Sequence, residues 1–304
     1  MELLKKFCQL HGTSGNETLV KEFLLDYIQK NQSNWKTKPI IFSGEEFQNC
    51  IVAVFGKPRT AVFTHMDSIG FTVRYQNELI EIGGPSVEDG YRLVGQDSKG
   101  KIEGILKVNP ESEKLTIDFP REIDRGTDLA FACDFRETEE AVQSCYLDNR
   151  LGIYVSLKLM ETIENGIIVF SCWEEHGGGS VPYLAKFIYE KYQIHQTLIC
   201  DITWVTEGVQ HGKGVAISLR DRLIPRKKYI EKIISILQES SIPFQLEVES
   251  SGSSDARELQ SSEYAFDWCF IGAPESNVHS PHEKVYKKDI ESMIAAYELL
   301  LKKL

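Results

Sequence analysis

The feature that most constrains this chain is a set of short apolar runs, each stopping at an imidazole or a carboxylate. Ala61-Val62-Phe63-Thr64 leads into His65-Met66-Asp67, Ile167-Ile168-Val169-Phe170-Ser171-Cys172-Trp173 into Glu174-Glu175, and Leu198-Ile199-Cys200 into Asp201. Runs this short and this apolar suit strands buried on both faces, as in a parallel sheet covered by helices. Amphipathic helical patterns supply that cover. One has Leu19, Val20, Phe23, Leu24 and Tyr27 at helical spacing after a turn at 13–17 with Asn16 as N-cap, and others start near Asn149, Ser180, Leu223 and Lys288. The predicted fold class is α/β, with a mixed, mostly parallel sheet flanked by helices. Carboxyl ends of strands line the ligand crevice of such sheets, so the three runs deliver an imidazole and several carboxylates to one rim.

The stretch 68–143 has a different grain. It shows no helical pattern but has β-type runs at 71–75, 79–82, 102–108, 115–117 and 129–133, punctuated by Gly83-Gly84-Pro85, Asp89-Gly90, Lys99-Gly100 and Asn109-Pro110. This predicts a small inserted β-barrel domain, 68–143, interrupting an α/β catalytic domain made of 1–67 and 144–304. A chain of 304 residues has room for both.

Charge and cysteine usage narrow the function. Asp plus Glu total 45 against 34 for Lys plus Arg, a net charge of −11, and no basic cluster is longer than a short one such as Arg226-Lys227-Lys228. That excludes nucleic acid and anionic membrane surfaces as general partners. Seven cysteines, odd in number and set mostly in apolar runs, read as reduced, buried thiols and point to the cytoplasm. No stretch approaches the ~20 apolar residues of a membrane span.

Taken singly, the polar residues have ordinary roles. His65-Met66-Asp67 suits a surface loop, Glu174-Glu175 a solvated charge pair, and Asp201 a cap on a strand-to-loop turn. Asp148, in Leu147-Asp148-Asn149-Arg150, stands where a helix N-cap belongs, and His279 suits a loop. Together they are two histidines and several carboxylates with no cysteine, a set that suits zinc or cobalt. Two such ions close together need one carboxylate to bridge them and another beside them to take a proton.

The ordered segments His65-Met66-Asp67-Ser68-Ile69-Gly70-Phe71, Leu147-Asp148-Asn149-Arg150-Leu151-Gly152, Glu174-Glu175-His176-Gly177, Cys200-Asp201-Ile202-Thr203 and His279-Ser280-Pro281 resemble those of the tetrahedral aminopeptidases. These are co-catalytic dizinc exopeptidases that include glutamyl and deblocking enzymes. His11-Gly12-Thr13-Ser14-Gly15-Asn16-Glu17 resembles the family's opening motif, and Ser253-Ser254-Asp255-Ala256 its Gly-Thr-Asp-Ala. The resemblance implies an α/β domain interrupted by a barrel, a homo-oligomer, short peptide substrates and two divalent ions per chain. It also implies roles: His65 and Asp201 on one metal, Glu175 and His279 on the other, Asp148 bridging, Glu174 as general base, and Asp67 orienting His65. A ligating imidazole usually donates its other N–H to a carboxylate, which gives Asp67 an independent rationale.

The chain departs from the family pattern at His176, where Val is common, and at Ser276-Asn277, where Arg-Tyr is common. His176 is expected to be a satisfied packing residue. Two other classes fit the same residues: a related dimetal hydrolase such as a deacylase, carboxypeptidase or polysaccharide hydrolase, and a non-catalytic metal-binding scaffold. A glycosidase needs no metal, and a scaffold has no need of Glu174 as a base.

Overall fold

The computed structural model describes residues 1–304, arranged as two sheets with helices on the larger one. At the centre of the larger sheet, Ala61–His65 lies between Gly166–Ser171 and Gln196–Trp204, and the latter pairs with Asp267–Ser276, all parallel. Antiparallel strands extend the edges: Ile51–Phe55 and Ile40–Phe42 on one side, Glu283–Tyr286, Ala141–Ser144 and Arg136–Glu137 on the other. A branch of Val215–Arg220 and Phe244–Val248 leaves from Asp267–Ser276. This is the expected mixed α/β architecture.

Its cause is visible in the burial. Ile51–Phe55, Ala61–His65 and Gly166–Ser171 are buried along their whole length, so both faces need cover. The helix Leu147–Thr162 lies against Ala61–His65 and Gln196–Trp204, and Lys287–Lys303 packs on that helix and on Asp267–Ser276. Gly152 permits the close approach, because a Cβ there would stand 2.6 Å from the carbonyl of Cys200.

Helix starts show where local signals mislead. The first amphipathic helix, Thr18–Asn31, starts after Glu17, while Asn16 reaches across to Asp128 at 3.1 Å. The helix expected near Leu223 begins at Lys227, after Arg226, whose backbone is extended. A short helix, Glu2–Cys8, is too brief to show a period and buries Leu4, Phe7 and Cys8. No helix is long and apolar enough to cross a membrane, and all seven cysteines are free.

The second sheet is antiparallel throughout, in the order Leu79–Ile82, Gly70–Val73, Asp128–Phe131, Arg92–Asp97, Gly100–Val108, Leu115–Asp118. A bridge between Glu78 and Thr116 brings its ends together, leaving a nearly closed barrel. Alternate residues, among them Phe71, Leu93, Leu106, Leu129 and Phe131, form a core of their own. The expected boundary at Gln143 lies too far along the chain. Arg136–Glu137 and Ala141–Ser144 pair within the larger sheet, so the barrel strands end at Phe131. A strand of two or four residues looks the same in sequence whichever sheet it joins.

Candidate active site

His65 closes the strand Ala61–His65. The ladder from this strand to Gln196–Trp204 stops at Phe63 and Ile199, and beyond it His65 and Asp201 meet through their side chains. His65 Nε2 lies 3.5 Å from Asp201 Oδ2 and 3.2 Å from Asp148 Oδ1. Asp201 does not end its strand as expected; pairing with Asp267–Ser276 carries the strand on to Trp204.

Asp148 is not the helix cap. Asp148 and Asn149 leave helical angles, the peptide between them is cis, and Asn149 Oδ1 accepts the Gly152 N–H at 2.9 Å, the bond an N-cap makes. Asp148 is thereby free to point both oxygens outward: Oδ1 toward His65 and Oδ2 toward His279 Nε2 at 3.4 Å. His279 Nε2 is also 3.2 Å from Glu175 Oε2. Two donor triads result, His65 with Asp148 and Asp201, and Asp148 with Glu175 and His279.

The rings are oriented from behind. His65 Nδ1 faces the Asp67 carbonyl at 3.2 Å, and His279 Nδ1 faces the Gly84 carbonyl at 2.9 Å. A carbonyl only accepts, so the Nδ1 proton points there and Nε2 is turned to the carboxylates. The carboxylate of Asp67 stands farther from His65 Nδ1, at 3.5 Å. Its oxygens accept the N–H groups of Glu174 and Glu175, each at 3.1 Å, and the Ser14 hydroxyl at 2.5 Å. The Asp67 carboxylate therefore fixes the Glu174-Glu175 turn, while the Asp67 backbone carbonyl faces the ring, and Gly178, at φ +76, helps close that turn by donating to the Trp173 carbonyl at 2.7 Å.

Several supporting residues carry no sequence signal or only part of one. Glu283, fully buried, accepts the N–H of His279 at 2.9 Å and of Asp148 at 3.3 Å. Ser254 donates to Asp201 Oδ2 at 2.7 Å, and Asp255 accepts from Ser171, so the Ser253-Ser254-Asp255-Ala256 motif braces the site. The buried Arg150 donates to the carbonyls of Met66 and Gly12. His176 is exposed and accepts the Gly83 N–H at 3.0 Å, so it pins a barrel loop and does not pack.

Electrostatics are extreme. Burial pushes the Glu174 carboxyl well above its ordinary value, and burial with neighbouring Asp148 lifts Glu175 to about 7. Burial acts against the charged form of His279, yet Asp148 and Glu175 raise it to about 12. Asp148 is driven down, its burial outweighed by the two histidines. Asp148, Glu174, Glu175, Asp201 and His279 all line one cavity of about 300 Å³.

Two acid-and-imidazole triads thus meet at one cavity of a mixed α/β sheet that carries an inserted barrel. The family model of the M42 glutamyl aminopeptidases matches residues 111–295, and the chain belongs to that family. A protein of Acetivibrio thermocellus whose name carries the word aminopeptidase is 27% identical over 329 residues, covering 96% of each chain. Among solved structures, an aminopeptidase of the archaeon Desulfurococcus kamchatkensis is similar with a TM-score of 0.87 at 23% identity, covering 100% of this chain and 94% of its own. A TET peptidase of Pyrococcus horikoshii, described as able to assemble into a tetrahedron or a large octahedral shell, has a TM-score of 0.81 at 22% identity, covering 100% and 99%. These structural likenesses concern the fold. His65 and Asp67 precede the matched span.

Proposed function

We propose that this chain is a dinuclear metalloaminopeptidase that releases single residues from the free amino end of short peptides, in the cytoplasm and as a homo-oligomer. The observation that carries the reading is Asp148, whose two oxygens lie 3.2 Å and 3.4 Å from the Nε2 atoms of His65 and His279. One carboxylate thus serves both triads, as a bridging ligand must. The remaining groups fit two cations as well. Glu175 Oε1 is buried with no hydrogen-bond partner, and the carboxylates of the two triads pair with the two histidines, with no lysine or arginine among their ion pairs. His65 and Asp201 would hold one ion, Glu175 and His279 the other, and Asp148 both; imidazole and carboxylate without thiolate suits zinc or cobalt.

Bound there, two such ions would supply Lewis acidity to a peptide carbonyl and to a water molecule near neutral pH. The chain's own groups do the rest. Glu174, whose buried carboxyl titrates above the ordinary range, takes the proton of the attacking water and returns it to the leaving amine. Asp67 holds the Glu174 N–H and so fixes where that base stands. The substrate ammonium docks against the surplus carboxylates lining the cavity. Assembly is carried over from the Pyrococcus relative.

The decisive experiment assays aminoacyl-amides and short peptides with zinc or cobalt, before and after chelation. Single-residue release that chelation abolishes is the expected result. Equal hydrolysis of N-acetylated and free peptides would instead put a deacylase first.

A further inference from the structure

The cavity does not end at the two triads. Ile202, Thr203, Phe270, Asp221 and Glu247 line it too, as does the exposed Trp204. This added wall has a definite chemistry. Ile202 and Phe270 are buried and apolar, and Asp221 and Glu247 are only 6% and 4% exposed. Asp221 uses Oδ1 to accept the Leu223 N–H at 2.6 Å, and its Oδ2 accepts no hydrogen bond within the protein. Glu247 Oε1 accepts the hydroxyl of Thr203. Neither acid forms an ion pair with a lysine or arginine; the nearest cation, Arg220, donates to the Asp221 carbonyl at 3.3 Å and acts on its carboxylate only from beyond pairing distance. Burial pushes both carboxyls up, and Asp221 raises Glu247 further. The two arginines that line the cavity are placed differently. Arg222 is exposed at the rim, and Arg257 is half-buried and also lines a neighbouring recess with Glu258.

We propose that this end of the cavity receives the side chain of the residue to be released and selects lysine and arginine. The proposal rests on the aminopeptidase reading above. An aliphatic stem of three or four carbons packs against Ile202 and Phe270, and its cationic head meets Asp221 Oδ2 and Glu247. A buried acid left without its cation discriminates strongly against a substrate of the same shape that lacks the charge. A glutamate side chain would bring a third carboxylate to the same wall and is rejected, so this member departs from the glutamyl preference in its family's description.

Two measurements test this. In the first, the metal-loaded enzyme is given lysyl, arginyl, norleucyl, leucyl and glutamyl amides. Lysyl and arginyl amides should exceed norleucyl by roughly 10-fold or more in kcat/KM, mainly through KM, and Asp221→Asn and Glu247→Gln should each reduce the lysyl-to-norleucyl ratio. In the second, calorimetry compares free lysine with norleucine, which has the same carbon chain without the ammonium; tighter binding of lysine is expected, and it is lost in Asp221→Asn. A leucyl, norleucyl or glutamyl preference overturns the basic pocket while leaving the aminopeptidase intact. Tighter lysine binding without turnover of any amide keeps the pocket and overturns the aminopeptidase. Equal binding of lysine and norleucine overturns the pocket whatever the turnover.

Discussion

The two triads share Asp148 but are built differently. The His65 triad is sunk at the centre of the larger sheet: His65 is 1% exposed, and Asp201 sits on an adjacent strand and is tied to Ser254. The His279 triad is assembled from loops: His279 is 29% exposed and leans on the Gly84 carbonyl of the barrel, while Glu175 follows a turn that Asp67 holds. The barrel clasps this second triad once more, as Ser86 donates to the His279 carbonyl at 2.8 Å, and holds the residue after Glu175 as well, as Gly83 donates to His176 at 3.0 Å. A strand-borne site is rigid and dry, whereas a loop-borne one is open to solvent and adjustable. On the two-ion proposal, the first triad would keep its ion and the second would exchange its ion and meet substrate.

The largest expected effect lies outside both triads. On the proposed assignment Glu174→Gln removes the base and no metal ligand, so turnover should fall about 100- to 10,000-fold while metal analysis still finds two ions per chain. Glu175→Gln should shed an ion instead; equal metal loss in the two variants would show that the pair is assigned in the wrong order. Next comes the shared residue: Asp148→Ala should cost both triads their ions, and retention of one tight ion would break the bridging role.

The contrast itself is sharpened by His65→Ala against His279→Ala. Each should lower metal content to one ion per chain, but in the wild type a weak chelator should remove the ion of the exposed triad first, seen as two phases of metal release. A single phase would mean that burial does not separate the two sites. Because His279 must give up its Nε2 proton to bind, and its carboxylate neighbours hold that proton up to about 12, acid should weaken metal retention. The smaller effects belong to the braces. Glu283→Gln and Ser254→Ala should each lower metal affinity about 10- to 100-fold, with Ser254→Ala confined to the His65 triad and Glu283→Gln, which touches Asp148 and His279, felt at both.

Much of this molecule is legible along the chain, for a local reason. Strands buried on both faces read as unbroken apolar runs, and half-buried strands and amphipathic helices as periods of 2 and 3.6, so the runs before His65, Glu174 and Asp201 announce strands and the alternation in Gly100–Val108 announces a barrel strand. Short edge strands such as Ala141–Ser144 impose no such mark. Neither does the helix cap: Asp148 and Asn149 are equally good capping residues, and only the fold decides that Asn149 caps while Asp148 faces both histidines.

By itself, then, the sequence determined the α/β class, the presence of an inserted β unit, and which residue types stand at the strand ends. Tertiary structure alone decided which residues support the site from behind. Glu283 reaches Asp148 across 135 residues and Gly84 reaches His279 across 195, and Asp221 and Glu247 come to one cavity from different strands' surroundings. Such contacts leave no trace in local spacing, because a side chain's period records which face is buried, whereas the partner across the site is chosen by how the sheet is ordered and where its loops return.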